Sequence, residues 1–215
     1  MQTSSTGVSR TRQVVAAVIG NALEWYDFIV YGFLASIIAR QFFPSEDGYA
    51  SLLMALATFG VGFFMRPVGG ILLGMYSDRK GRKAAMQLII RLMTVSIALI
   101  AFAPSYAAIG MGAPLLIVVA RMLQGFATGG EYASATAFLV ESAPAHRKGL
   151  YGSWQLVGQC LAVFAGAAMV ALVTHVFSPE ALDTWGWRIP FVIGLLIGPV
   201  GLWIRKHMEE PEEFL

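Results

Sequence analysis

Gly74-Met75-Tyr76-Ser77-Asp78-Arg79-Lys80-Gly81-Arg82-Lys83 is the stretch whose reading decides the fold. Five of its ten residues are charged, four of them basic, and apolar runs long enough to cross a bilayer flank it on both sides. The expectation is a tight charged turn joining two transmembrane helices. Short basic loops stay in the cytoplasm, so the turn also fixes a side.

The rest of the chain agrees. It has 215 residues, 57% apolar and 13% charged, with a mean hydropathy of +0.66. A soluble domain carries about 25% charged residues, so an all-α, multi-span membrane protein is expected, with the lipid bilayer as its surroundings. The net charge is +2, and the basic residues cluster in short loops. That clustering signals topology rather than a nucleic-acid partner. Cys160 is the single cysteine and lies inside an apolar run, which excludes an internal disulfide. Arg10 and Arg12 precede the first apolar segment, as in a signal peptide. Glu24 and Asp27 interrupt that segment, however, and no clear cleavage site follows, which argues against one.

Six apolar segments are read at Val14–Ala39, Leu52–Tyr76, Ala84–Ala103, Ala113–Leu139, Tyr151–Val176 and Ile189–Ile204. The connections are short and hold turn formers such as Pro44, Gly48, Pro104, Pro144 and Pro179. The expected organisation is a cytoplasmic N-terminus over residues 1–13, one six-helix bundle over 14–204, and a cytoplasmic tail over 205–215. Ten of the fifteen Lys and Arg fall on one side: Arg10, Arg12, Arg79, Lys80, Arg82, Lys83, Arg147, Lys148, Arg205 and Lys206. Only Arg40 and Arg188 fall on the other, and Arg66, Arg91 and Arg121 lie within spans. This bias puts both termini in the cytoplasm. Only the first and fourth segments carry acids near their middles, which suggests a three-plus-three inverted repeat. Glycines from Gly62 to Gly74 recur at near-helical spacing and promise close helix contacts.

In the first segment Asn21, Glu24, Asp27 and Tyr31 step by three, three and four, so they share a helix face. Carboxylates at mid-span are costly, by a few kcal/mol each, and are seldom kept without a use. The face is read as lining a watery cavity, with one carboxyl binding and releasing a proton. A buried polar cluster that only locks helices together is the alternative. In the fourth segment Arg121, Gln124, Thr128 and Glu131 form a similar stripe. Arg121 stays charged and therefore needs an anion, which Glu24, Asp27, Glu131 or an anionic ligand could supply. A cation that pairs in turn with a titrating carboxylate and a ligand carboxylate would couple the two; a permanent Arg–Glu bridge would not. Gln155 and Gln159, one turn apart, offer amides to a ligand or to a neighbouring helix. Arg66, before Pro67, reads as structural or as a second anion-binding group. No Ser-His-Asp set, metal cluster or phosphate-cradling loop is present, so neither an enzyme nor a cofactor is expected.

Gly74-x-x-x-Asp78-Arg79-x-Gly81-Arg82-Lys83 resembles the loop signature between the second and third helices of the major facilitator superfamily. Arg121-x-x-Gln124-Gly125 resembles that superfamily's fourth-helix motif. Glu141, followed by Lys148-Gly149, resembles its cytoplasmic acid–base motif. Within the superfamily, the stretch from Gly20 to Gly32 is similar to the metabolite:proton symporters, as are Arg66-Pro67-x-Gly69-Gly70, Gly129-Gly130-Glu131, Gly152-Ser153-Trp154-Gln155 and Trp187-Arg188-Ile189-Pro190-Phe191. That family includes permeases for citrate, tricarballylate, α-ketoglutarate, shikimate, and proline or betaine.

The resemblance implies proton-coupled uptake of a small organic acid, or of a zwitterion of the proline or betaine kind, across a bacterial inner membrane. It implies Glu24, Asp27 and Arg121 as coupling groups. It also implies an inner gate built from Gly74, Asp78, Arg79, Gly81, Arg82 and Lys83, with Asp78 reaching a helix end of a second six-helix bundle. The family has twelve spans and this chain six. The expectation is therefore an N-terminal half of a longer protein, or a half-size chain that needs a partner bundle. A non-transporting six-span scaffold is the alternative.

Overall fold

A computed structural model describes residues 10–206 except Ser142 and Pro144. The described residues are helical apart from turns, in the order α1 (Arg10–Phe33), α2 (Ala35–Phe42), α3 (Gly48–Lys80), α4 (Arg82–Ala101), α5 (Tyr106–Ile109), α6 (Gly112–Glu141), α7 (Lys148–Val176), α8 (Pro179–Thr184) and α9 (Ile189–Lys206). Helices are what apolar runs of this length must form in lipid, where every backbone N–H and C=O has to be satisfied within the segment.

The opening stretch is tighter than a loop. Helix α3 continues through Asp78, Arg79 and Lys80, and Gly81 alone separates it from α4. Gly81 has φ 95° and ψ 151°, a region that glycine enters without strain. Its N–H donates to the Ser77 carbonyl at 2.9 Å, and its own carbonyl accepts from the Ala85 N–H at 3.2 Å. At the other end of α3, the Asp47 carboxylate caps the helix by accepting from the Tyr49 N–H.

The first predicted segment is a helix with a one-residue interruption. Leu34 breaks it, yet its N–H still donates to the Val30 carbonyl and its carbonyl accepts from Ile37 and Ile38. Among the described residues, α3, α7, Ala84–Ala101 of α4 and Gly112–Glu131 of α6 are long and apolar enough to cross a membrane. Helix α1, at 24 residues, has the length but carries Arg10, Arg12, Glu24 and Asp27.

The helices pack as two interleaved triplets. The most extensive contact is α3 on α6, followed by α1 on α7, α4 on α6, α4 on α9 and α1 on α9. Exchanging α1 with α6, α3 with α7 and α4 with α9 converts the first contact into the second and the third into the fifth. It leaves α4 on α9 unchanged. This is the pairing expected of the three-plus-three repeat.

One end of the bundle is closed by a core of Leu34, Ile38, Phe42, Trp187 and Phe191. Arg188 belongs to that end and donates to the Ala101 and Ala103 carbonyls at 2.9 and 2.8 Å, capping α4. Outside, α3 exposes Phe64, Ile71 and Leu72, and α7 exposes Leu161, Phe164 and Leu172. Apolar surface on this scale belongs in a bilayer or against another bundle.

Candidate functional site

The α3–α6 seam brings two helix backbones into contact beside the buried polar residues. A Cβ on Gly69 would overlap the Phe126 carbonyl, one on Gly125 the Gly62 carbonyl, and one on Gly129 the Arg66 carbonyl. Only glycine lets the two backbones meet this closely. Part of the sequence reading needs correction here. Gly74 has no neighbour within 4 Å of a Cβ, so it takes no part in the close approach.

Against this seam α1 presents two carboxylates, and each meets a different arginine. Arg121 Nη1 donates to Asp27 Oδ2 at 3.2 Å. Gln124 joins them: its Oε1 accepts from Arg121 Nη1, and its Nε2 donates to Asp27 Oδ2. The three side chains form a closed ring of charge-assisted bonds, and Asp27 and Arg121 are each only 1% exposed. The Arg121 guanidinium also lies 3.8 Å over the Tyr31 ring, whose hydroxyl donates to the Ala55 carbonyl at 3.1 Å.

One turn earlier on α1, Glu24 Oε1 faces Arg66 Nη2 at 3.6 Å. Arg66 comes from α3 and lies against the Phe28 and Phe63 rings, at 4.9 and 4.5 Å from their centroids, while the two rings touch each other edge-on. Its side chain is 24% exposed, whereas that of Glu24 is 2% exposed. Thr128 and Glu131 of α6 lie beside Glu24. Several buried polar atoms of the two pairs lack a hydrogen-bond partner among the described residues: Glu24 Oε2, Asp27 Oδ1, Arg66 Nε, and Arg121 Nε and Nη2. Buried groups of this kind rarely stay unpaired without a reason.

The expected site residues therefore divide into groups. Glu24, Asp27, Tyr31, Arg66, Arg121, Gln124 and Glu131 come together at the α1–α3–α6 junction. On α7, Gln155 is buried and Gln159 half-buried. Asp78, Arg79, Lys80 and Lys148 are exposed at the bundle's end, away from that junction. The side chains of Asn21, Arg82, Lys83 and Glu141 lie outside the described residues, as do residues 1–9 and 207–215. The acidic face is packed against α6 rather than left open within this bundle. Sequence reasoning missed Phe28 and Phe63. The i, i+3 spacing of Phe63 and Arg66 on α3 was the signal available for one of the two rings.

The family model for sugar (and other) transporters matches residues 13–212. The chain belongs to that family. It is a multi-pass membrane protein of a transporter family, not an enzyme. This transporter chain is 42% identical over 211 residues to a citrate-proton symporter of Klebsiella pneumoniae, covering 98% of the chain and 48% of that protein. It is 42% identical over 203 residues to a proline/betaine transporter of Salmonella typhimurium, covering 94% of the chain and 41% of that protein. A shikimate transporter of Escherichia coli is 40% identical over 209 residues, with 96% and 48% covered. The chain thus spans about half the length of the curated relatives it matches. In fold it is similar to a partially occluded, inward-open xylose transporter XylE from E. coli, with a TM-score of 0.86 at 19% identity, covering 97% of this chain and 50% of that one. Another similar structure is described as a major facilitator superfamily proton:xylose symporter. The resemblance read from the motifs, to the metabolite:proton symporters of that superfamily, stands.

Proposed function

We propose that this chain is the N-terminal six-helix half of a proton-coupled symporter that imports a small carboxylate-bearing solute across a bacterial inner membrane. Both termini face the cytoplasm, as the basic loops require. The second bundle, in the same full-length chain or in another subunit, supplies the opposite wall of the cavity. The exposed apolar faces of α3 and α7 are consistent with such a neighbour.

The observation that carries the reading is the ring of Asp27, Arg121 and Gln124 at the centre of the bundle. A buried ion pair of this kind contributes little net stability, because desolvation offsets its attraction. It is suited to a switch. With Asp27 ionised, Arg121 is held; with Asp27 protonated, Arg121 is released and α1 and α6 are free to shift. Gln124 accepts from the cation and donates to the anion, so it steadies the ionised state. The charged turn at Asp78–Lys83, with Glu141 and Lys148, is the inner gate by the same reading.

The substrate class rests on chemistry the relatives share. Citrate, shikimate, proline and betaine, named for those transporters, differ in charge, ring and size, yet all carry a carboxylate. The organic-acid and zwitterion readings therefore agree on the group to be recognised. The test uses the full-length protein in proteoliposomes. Asp27→Asn is expected to lose pH-driven accumulation while keeping substrate exchange, and Arg121→Ala is expected to lose both. If both variants keep pH-driven uptake, the coupling assignment is wrong.

A further inference from the structure

The two arginines at the junction are not equivalent, and the difference assigns the less tightly held one a task. Arg121 is sealed: it is bonded to Asp27 and Gln124, stacked on Tyr31 and 1% exposed. Arg66 is held loosely. Its approach to Glu24, at 3.6 Å, is an ion pair without a hydrogen bond. Arg66 Nε and Glu24 Oε2 are both buried without partners, so neither member is saturated by the other. The Phe28 and Phe63 rings keep the guanidinium in place by cation–π attraction whether or not the carboxylate is there.

On these grounds we infer that Arg66 is the group that binds the substrate's carboxylate, exchanging Glu24 for it. This deepens the proposal above and rests on reading the chain as one bundle of a carboxylate transporter. A guanidinium offers a planar fork that takes a carboxylate through two parallel N–H···O bonds. The exchange replaces a loose contact with a bidentate one, and no covalent bond is made or broken. A lipid headgroup is a poor competitor for this position. Arg66 lies 14 residues from the end of α3 at Lys80, about 21 Å at 1.5 Å per residue, which is too deep for an interfacial phosphate. The Phe28 ring links the two arginines, with Arg66 at 4.9 Å and Arg121 at 5.9 Å from its centroid.

The experiment measures binding to the purified full-length protein, with citrate, shikimate, proline and glycine betaine as probes. The methyl ester of whichever probe binds, with every carboxylate esterified, serves as the comparison that lacks the negative charge. Wild type is expected to prefer the acid over its ester by about tenfold or more, the equivalent of one charge-assisted hydrogen bond. Arg66→Gln, similar in size but uncharged, is expected to abolish that preference, and Arg66→Lys to restore part of it. Glu24→Gln removes the internal competitor and should bind the acid several-fold more tightly, a gain that a misfolded variant cannot mimic. If Arg66→Gln keeps the acid preference, or Glu24→Gln weakens binding, the inference is overturned while the transporter reading survives. If the wild type binds none of the four probes, the carboxylate reading falls and this inference with it.

Discussion

Two ion pairs sit one helical turn apart on α1, built from the same chemistry, and they differ in how completely the fold encloses them. Asp27–Arg121 is bonded to Gln124, stacked on Tyr31 and sealed. Glu24–Arg66 is longer and half-open, and aromatic faces hold it rather than donors. The contrast shows that burial, not residue type, sets the two pairs apart. On the reading proposed above, the enclosed pair answers to the coupling ion and the pair with an open edge to a ligand.

The sharpest way to break the comparison is to remove one arginine at a time and compare the thermal unfolding of the full-length protein in detergent. Arg121→Ala strands Asp27 in the interior and should cost about 3–5 kcal/mol, the usual penalty for an uncompensated buried charge. Gly129→Ala comes next. Its methyl group would overlap the Arg66 carbonyl, and overpacking of this kind costs about 1–3 kcal/mol. Because the strain falls on Arg66, substrate binding should weaken more than after Gly62→Ala, where the nearest atom to the added Cβ is the Arg121 carbonyl at 3.2 Å. Equal effects of the two glycine variants on binding would remove the distinction between the arginines.

Arg66→Ala also leaves a buried carboxylate without its cation, but should cost less than Arg121→Ala because Arg66 is 24% exposed and water can reach the gap. A loss as large as that of Arg121→Ala would mean that the two pairs are equivalent after all. The smallest effect is expected for Tyr31→Phe, which keeps the ring under Arg121 and loses the hydroxyl bond to Ala55. Interhelical hydrogen bonds in membranes average about 0.6 kcal/mol. A shift in the pH dependence of uptake by Tyr31→Phe would show that the hydroxyl, and not only the ring, tunes the sealed pair.

Much of this was legible before any coordinates. The spacing of Glu24, Asp27 and Tyr31 put them on one face, and the stripe of Arg121, Gln124, Thr128 and Glu131 put them on another, because helical periodicity is a local property. The pairing of those faces was not legible. The sequence left Arg121 with Glu24, Asp27 and Glu131 as possible partners and left Arg66 between structure and anion binding. The glycine seam resolved the choice by setting the distance between α3 and α6, and with it the rotation at which each arginine meets α1. The Phe28–Phe63 pair against which Arg66 rests was hidden for the same reason, since its two rings come from different helices.

The sequence alone determined the membrane class, the order of spans and the presence of a tight charged turn within Gly74–Lys83, all of which depend on local composition and backbone freedom. It also carried the motifs of a transporter family. Only the tertiary structure decided which carboxylate holds which arginine and how tightly. Those outcomes depend on the separation and exposure of side chains far apart in sequence, quantities set by packing between helices and not written in any one of them.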